Sequence, residues 1–544
     1  MVRLVISLLT FLCKVVRALG LSVGNYQATL TIEGFKGVMQ FDENESINTD
    51  MKYAADARNF DTRDGNLLPL MKPQSAVAVP STALISNIWE VRTGLSWFGN
   101  RFVYVTTDPR AYFTRQDSWE IEGYVPIGGY TGLWAGVQYE RTIDDEVVPV
   151  FYLTNSADGM REISASPGQD DRLVLISRSV STPHNFSMLA LYGERLWGVV
   201  NGDNNETICY SAPYMPWSWD PDPDIPENGG GEIRIADFDG DRITAIYPFG
   251  SSLLIFKEHH LYRLTGLSPD EFTIQEQYGG GTIYSGSIAV YQERVFFLTS
   301  NGMCVYDGVS VRPFQQYALR TLWRNEKVIT GVDSEGKFRD TTRAVVHKDR
   351  YYLSFPGSGT GGNFTVMYDF NEGAWSYTDA GLDGDGINPE LYLIHDNDLY
   401  VLQLEGTPAT YPISRWYKSI EDVPDSEVGS SESFIGFDWL TPWSDMGAKD
   451  ILKNEFKLRF WIQTHMASGD RLKLAVTVET ERGSKTREII FDRDVDEEIK
   501  MRFHLSGRKV RMRFTLTDRE GNEQITSWCK IMGGMQLNAD TSPD

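Results

Sequence analysis

The middle of the chain repeats one arrangement of polar and apolar positions. A short turn of small or charged residues is followed by a basic or polar residue, and then by a strand of alternating aromatic and aliphatic side chains. The copies are WFGNRFVYV at 97–105, YGERLWGVV at 192–200, YQERVFFLT at 291–299 and HKDRYYLSF at 347–355, with weaker versions at 248–256 and 395–403. A turn signal against an aromatic or β-branched run predicts a hairpin. Arg101, Arg195, Arg294 and Arg350 are separated by 94, 99 and 56 residues. Those gaps suit one unit every ~40–50 residues, the period of a four-stranded propeller blade. A second repeated form, VFYLTNSADGMREIS at 150–164 and VFFLTSNGMCVYDG at 295–308, places an apolar strand, a Thr, a Gly-containing turn and a second strand in the same order.

The pattern changes toward the C-terminus. Residues 405–450 carry Pro and Ser clusters with few periodic apolar positions and read as a connector. From Lys453 onward, FKLRFWIQT, DRLKLAVTVET, TREIIFDRD, IKMRFHLSG and KVRMRFTLTD alternate cleanly between Gly or Asp turns. This predicts antiparallel strands with one polar face each. The expected fold is all-β: a β-propeller of about six or seven blades followed by a C-terminal antiparallel β-sandwich. The expected organisation is an apolar segment at 1–24, a leader at 25–84 whose strands close the propeller, the propeller at 85–410, a linker at 411–450 and the sandwich at 451–540. The run Leu4–Cys13 resembles a signal core, but Lys14 and Arg17 follow where a cleavage region would be neutral, and the run is too short to span a bilayer. An amphipathic helix or an upstream start site are the other readings.

Composition agrees with a large β core. Of 544 residues, 41% are hydrophobic and 67 are Phe, Trp or Tyr, an enrichment that favours strands. The formal net charge of −24 repels a phosphate backbone and disfavours tight, non-specific nucleic-acid binding. Cys13, Cys209, Cys304 and Cys529 lie far apart without a CxxC pair, so the sequence indicates neither a zinc site nor a disulfide framework.

Few residues carry a chemical signal. Asp237, Asp239 and Asp241 in DFDGD are spaced like the first half of a calcium loop, but the twelfth position is Pro248 rather than a bidentate Glu, and an Asp/Gly hairpin turn explains them equally well. Asp383 and Asp385 in DGDG invite the same two readings. His259 and His260 fall in a turn, and neighbouring strand positions would point them to opposite faces. Gly279–Gly281 with Thr282 lacks the Lys and the helix of a phosphate loop. In PWSWDPDPD, Trp217 and Trp219 beside Asp220, Asp222 and Asp224 are the residue types of a glycan-contact surface, whereas the alternating prolines indicate a stiff loop. No nucleophile–base pair stands out, and the expectation is a non-enzymatic protein without a cofactor.

Several phrases taken in order resemble the tail hub or nozzle proteins of short-tailed bacteriophages, a family also labelled phage stabilisation proteins. They are AADARNFDTRDGNLLPL; ERLWG followed by ICYSAPYMPWSWD; GEIRIADFDGDRITAIYPFGSSLLIFKEHHLYRLTG; GGGTIYSGSIAVYQERVFFLTSNGMCVYDGVSV; and the closing KIMGGMQLNAD. The resemblance spans Gln27–Asn538. It implies a structural virion protein, assembled in the bacterial cytoplasm. Six copies would form a ring at the distal end of the tail, beside adaptor and fibre or needle proteins and facing the host surface. During genome ejection DNA would pass through without being gripped, past a lumen of like charge. It supplies no catalytic residue. A propeller adhesin that binds host-surface glycans through Trp217 and Trp219 is the alternative.

Overall fold

The computed structural model describes residues 27–39, 51–79, 85–93, 95–129, 134–143, 146–168, 173–202, 205–235, 240–315, 318–319, 342–355, 364–379, 389–402, 411–418 and 434–542. The described chain is all-β. Its helical elements are two single 3-10 turns, Pro226–Asn228 and Ser285–Ser287.

Among the described residues, seven antiparallel four-strand meanders follow one another along the chain. The first runs through Ile85–Arg92, Asn100–Thr106, Arg110–Thr114 and Ile121–Pro126, and the second through Ala135–Ile143, Glu146–Asn155, Gly159–Pro167 and Leu173–Val180. The third comprises Phe186–Tyr192, Arg195–Val200, Thr207–Tyr210 and Gly231–Arg234, and the fourth Ile243–Phe249, Ser252–Lys257, Leu261–Thr265 and Thr273–Gln277. The fifth holds Ala289–Tyr291, Arg294–Thr299, Gly302–Tyr306 and Val311–Pro313. The sixth holds Arg343–His347, Arg350–Ser354, Phe364–Asp369 and Ala374–Asp379, extended by Gly37–Val38 and Tyr53–Ala54. In the seventh, Leu391–His395, Asp398–Leu402 and Tyr411–Arg415 are completed by Gln74–Val79 from the leader. The first strand of the seventh meander packs beside the first strand of the first. There His395 Nδ1 lies 2.7 Å from Glu90 Oε1, and the His395 ring meets Phe102 edge-on at 4.7 Å.

The repeated turn phrase has a backbone cause. In Tyr192–Arg195, Tyr291–Arg294, His347–Arg350 and His395–Asp398 the outer two residues pair and the inner two both take positive φ. That is the two-residue hairpin whose twist matches its strands, and Gly, Asn and Asp enter it at the least cost. The aromatics that follow are core. Phe102, Trp197, Phe296 and Tyr351 sit on the second strand of their meanders and are all buried.

The basic residue of the phrase is structural as well. Arg101 donates from Nε to Phe98 O at 2.8 Å and from Nη1 to Thr114 O at 2.7 Å, and it pairs with Glu122. Arg195 holds Ser211 O at 2.8 Å, Gly229 O at 2.7 Å and Glu227 O. Arg350 reaches Asp61 and Asp369. All three are buried, whereas Arg294 is exposed. The seventh meander reverses the sign: Asp398 takes the position and Arg415 reaches it from the next strand.

Two further sheets lie beyond. A nine-stranded sheet is ordered Gln27–Ile32, Met535–Ser542, Leu452–His465, Trp528–Ile531, Asn66–Met71, Phe434–Ile435, Gln524–Ile525, with Asp496–Gly507 and Phe60–Arg63 paired alongside. A five-stranded sheet is ordered Gly483–Phe491, Leu472–Thr480, Val510–Asp518, Asp438–Leu440, Asp56–Arg58. Leu472–Thr480 alternates strictly between buried and half-buried positions, as the sequence pattern predicts. Both sheets feed one apolar cluster that includes Phe456, Phe460, Val476 and Phe514, and Phe460 meets Phe514 edge-on across it at 6.1 Å.

Trp197 shows what the aromatic strands contribute. It is fully buried, donates Nε1–H to Tyr192 O at 2.9 Å, and packs on Tyr210 and Phe272 at 5.2 and 5.3 Å. Trp197→Ala is expected to cost ~3–5 kcal/mol in reversible denaturant unfolding. A cost below about 1 kcal/mol would mean that this side chain does not fill the core between the third and fourth meanders.

Candidate functional site

The tryptophan loop leaves the third meander after Tyr210 and rejoins it at Gly231. Its two indoles are both occupied. Trp219 is buried against Phe186, with ring centroids 4.7 Å apart, and a side chain at Gly230 would strike the Trp219 backbone at 2.5 Å. Trp217 is covered by the Arg141 guanidinium, 3.8 Å from its ring centroid. Arg141 is in turn held by Glu162 at 3.0 Å, and Glu162 accepts from Tyr152 Oη at 2.8 Å. The prolines and tryptophans thus stiffen a loop bolted between the second and third meanders, with Arg195 gripping its far end.

The carboxylates of this loop do not converge. Asp222 Oδ1 accepts from the backbone N–H of Ile225 at 3.0 Å and of Asp224 at 2.9 Å. Those two bonds hold its carboxyl below the usual carboxylate range. It caps a local turn, and Asp220 and Asp224 on either side are exposed.

The aspartate-rich turn divides differently. Asp237 and Asp239 lie outside the described residues, as do Asp383 and Asp385. Asp241 is described and buried. Its carboxylate accepts from His259 N at 2.8 Å, His259 Nδ1 at 3.0 Å and His260 Nδ1 at 2.9 Å. The two histidines reach one acceptor because they occupy the turn between Ser252–Lys257 and Leu261–Thr265, where strand alternation does not apply. Burial alone would raise the Asp241 pKa, but the bonds from His260 and His259 outweigh it and leave the carboxyl below its ordinary value. Glu258 pairs with Arg242, and its carboxylate, that of Asp241 and the His259 imidazole lie within 4.8 Å of one another. This is a clasp that closes a hairpin, built from groups that also suit a divalent cation.

The glycine run after the fourth meander packs under that clasp. Thr282 N–H donates to Lys257 O at 2.9 Å, and a Cβ on Gly281 would lie 2.0 Å from the same oxygen. Glycine is needed there for close approach of two backbones, and no phosphate cradle forms.

Two groups escaped the sequence reading. The buried arginines were visible only as polar turn residues, although their fixed place before an aromatic strand was itself a signal. The side chains of His184, Cys209 and Glu232 come from three separate segments, yet their ligand atoms lie within 4.8 Å of one another. Nothing in their spacing along the chain announces that meeting.

No family model matches this chain, and no curated protein matches it. Solved structures do. The WD40 repeats of RRP9 align over 64% of this chain and 100% of their own, at 8% identity and a TM-score of 0.37. The Myceliophteria thermophila Cps50 (Swd1) β-propeller domain aligns over 63% of this chain and 99% of its own, at 9% identity and a TM-score of 0.37. Chaetomium thermophilum Raptor aligns over 65% of this chain and 29% of its own, at 11% identity and a TM-score of 0.39. Likenesses this distant carry nothing about activity.

The Asp241 clasp has a pH signature. A carboxyl with a depressed folded-state pKa stabilises the fold above its unfolded value of 3.8, and that stability is lost as pH falls through the folded value. Asp241→Asn is therefore expected to cost on the order of 1.5–3 kcal/mol at neutral pH. The gap to the unsubstituted protein should close below the ordinary carboxylate range. Denaturant unfolding at a series of pH values checks this, and a gap independent of pH would contradict it.

Proposed function

We propose that this chain is a structural virion protein, one subunit of an oligomeric tail nozzle or hub through which a short-tailed bacteriophage ejects its DNA. The seven meanders are read as seven blades of a propeller closed by the leader strand Gln74–Val79, and the two C-terminal sheets as a sandwich. In this reading the propeller runs from 85 through Tyr411–Arg415, and the sandwich takes in Phe434–Ile435 and Asp438–Leu440 as well as 451–540, so the linker expected at 411–450 is largely drawn into its neighbours, with leader strands built into both.

One observation carries most weight. The resemblance to the nozzle family runs from Gln27 to Asn538, and its two ends lie on paired strands. Thr29 is in register with Asn538, and Thr29 Oγ1 donates to Asn538 Oδ1 at 2.7 Å. The two ends of the resembling stretch thus meet in one sheet. The described parts of its conspicuous phrases are absorbed into turns, clasps and core, as a scaffold requires. The net charge of −24 suits a channel past which DNA slides. The adhesin alternative would need an open aromatic platform. Trp219 is buried and Trp217 is stacked under Arg141, so this loop offers no such platform.

Assembly would fall to the C-terminal sheets. Gly483–Phe491 ends the five-stranded sheet, and its residues are exposed from 483 to 488. A free edge is a template for pairing with another chain. Native mass measurement of the purified protein should find a closed homo-oligomer, six copies by the family resemblance, either alone or with adjacent tail components. A strict monomer at every concentration, in both conditions, would contradict the reading.

A further inference from the structure

A mixed sulfur, nitrogen and oxygen donor set stands at the outer side of the third meander. Cys209 lies on Thr207–Tyr210, and Glu232 faces it directly on the paired strand Gly231–Arg234. Directly opposed residues in an antiparallel pair share a face, with Cβ atoms about 4.5–5.5 Å apart. His184 arrives from the segment before Phe186, where Thr182 Oγ1 donates to the His184 carbonyl at 2.8 Å and fixes the backbone. His184 Nε2 is 3.3 Å from Glu232 Oε2, and the Cys209 thiol completes a group whose ligand atoms are all within 4.8 Å of one another.

We propose that His184 Nε2, Cys209 Sγ and a Glu232 carboxylate oxygen bind a borderline divalent transition metal, with Zn²⁺ as the ion of choice. Bonds of about 2.0–2.3 Å arranged tetrahedrally put neighbouring ligand atoms ~3.3–3.7 Å apart. The His184–Glu232 separation already has that length, and the two sides to Cys209, each at most 4.8 Å, close with no more than about an ångström of side-chain movement. Thiolate and imidazole together select zinc-like ions over magnesium or calcium. His184 and Glu232 remain partly open to solvent, with side-chain exposures of 36% and 63%, which leaves the fourth position to water. Cys209 itself is buried, and burial pushes its thiol up to about 12. Metal binding reverses that preference: the S–H proton goes to solvent as the metal–sulfur bond forms. The ion would tie the two outer strands of the meander to the segment that begins it. The site is independent of the nozzle reading.

Cobalt titration of the full chain, reduced and stripped with a chelator, tests this. The expected result is saturation near one equivalent, with a thiolate-to-cobalt charge-transfer band that Zn²⁺ bleaches. Cys209→Ser should abolish the band, whereas Cys304→Ser and Cys529→Ser should leave it. His184→Ala and Glu232→Gln alter partly exposed side chains and should fold normally, yet each should weaken cobalt affinity at least about tenfold. Absence of the band in the unsubstituted protein would overturn the proposal. So would a band that survives Cys209→Ser, or affinity unchanged in both the His184 and Glu232 variants.

Discussion

The guanidinium of Arg350 is the point at which separate parts of this chain are fastened together. Its Nη2 lies 2.6 Å from Asp61 Oδ1 and 3.4 Å from Asp369 Oδ2, and its Nη1 donates to Lys418 O at 3.3 Å. Lys418 Nζ returns to Asp369 Oδ2 at 2.6 Å. Arg350 and Asp369 belong to the sixth meander, Lys418 follows the third strand of the seventh, and Asp61 lies 289 positions away in the leader. Burial opposes the charge on Arg350, but the attraction of Asp61 and Asp369 more than offsets it and keeps the guanidinium more basic than usual. A buried ion pair adds little net stability over an apolar replacement, yet leaving one partner behind is costly. The network therefore acts mainly on arrangement, since a misplaced leader would take from a buried cation its shortest partner.

That constraint matters because the leader is threaded through nearly everything else. Gln27–Ile32 pairs with the last strand of the chain, Gly37–Val38 extends the sixth meander, and Asp56–Arg58 joins the five-stranded sheet. Asn66–Met71 lies within the nine-stranded sheet, and Gln74–Val79 completes the seventh meander. Residues from the first part of the chain must wait for partners several hundred positions later. Such non-local pairing makes the ordering of this fold slow. It also makes the two C-terminal sheets and the meanders a joint product of both chain ends rather than separable beads.

The sequence disclosed what repeats and hid what is unique. The hairpins at 192–195, 291–294, 347–350 and 395–398 could be read because two successive positive-φ positions restrict their composition, and the aromatic strands after them because alternation survives in sequence. Clean alternation likewise announced Leu452–His465 and Leu472–Thr480. Burial of Arg101, Arg195 and Arg350 was not legible, since a charged residue in a turn is by default a solvated one. The leader's route was hidden because strands of two to six residues carry too little periodicity to name their partners. Among the candidate sites, the sequence located Asp241 and the histidine turn but not the clasp between them. That clasp depends on a turn geometry that carries both imidazoles to one side. His184, Cys209 and Glu232 were invisible because sheet register sets Cys209 opposite Glu232 and a separate segment before Phe186 brings His184 to them.

The dependence on Arg350 can be measured directly with a double-mutant cycle on Arg350→Met and Asp61→Leu, read by denaturant unfolding and by protease resistance of the leader. Each single replacement takes the nearest opposite charge from a buried group and should cost ~3–5 kcal/mol while exposing the leader to cleavage. The pair together should cost less than the sum of the singles by about 1–3 kcal/mol, with much of the protection restored. Costs that add to within about 0.5 kcal/mol, or a leader equally protected in every variant, would contradict the claim that this buried pair fixes the arrangement of the chain.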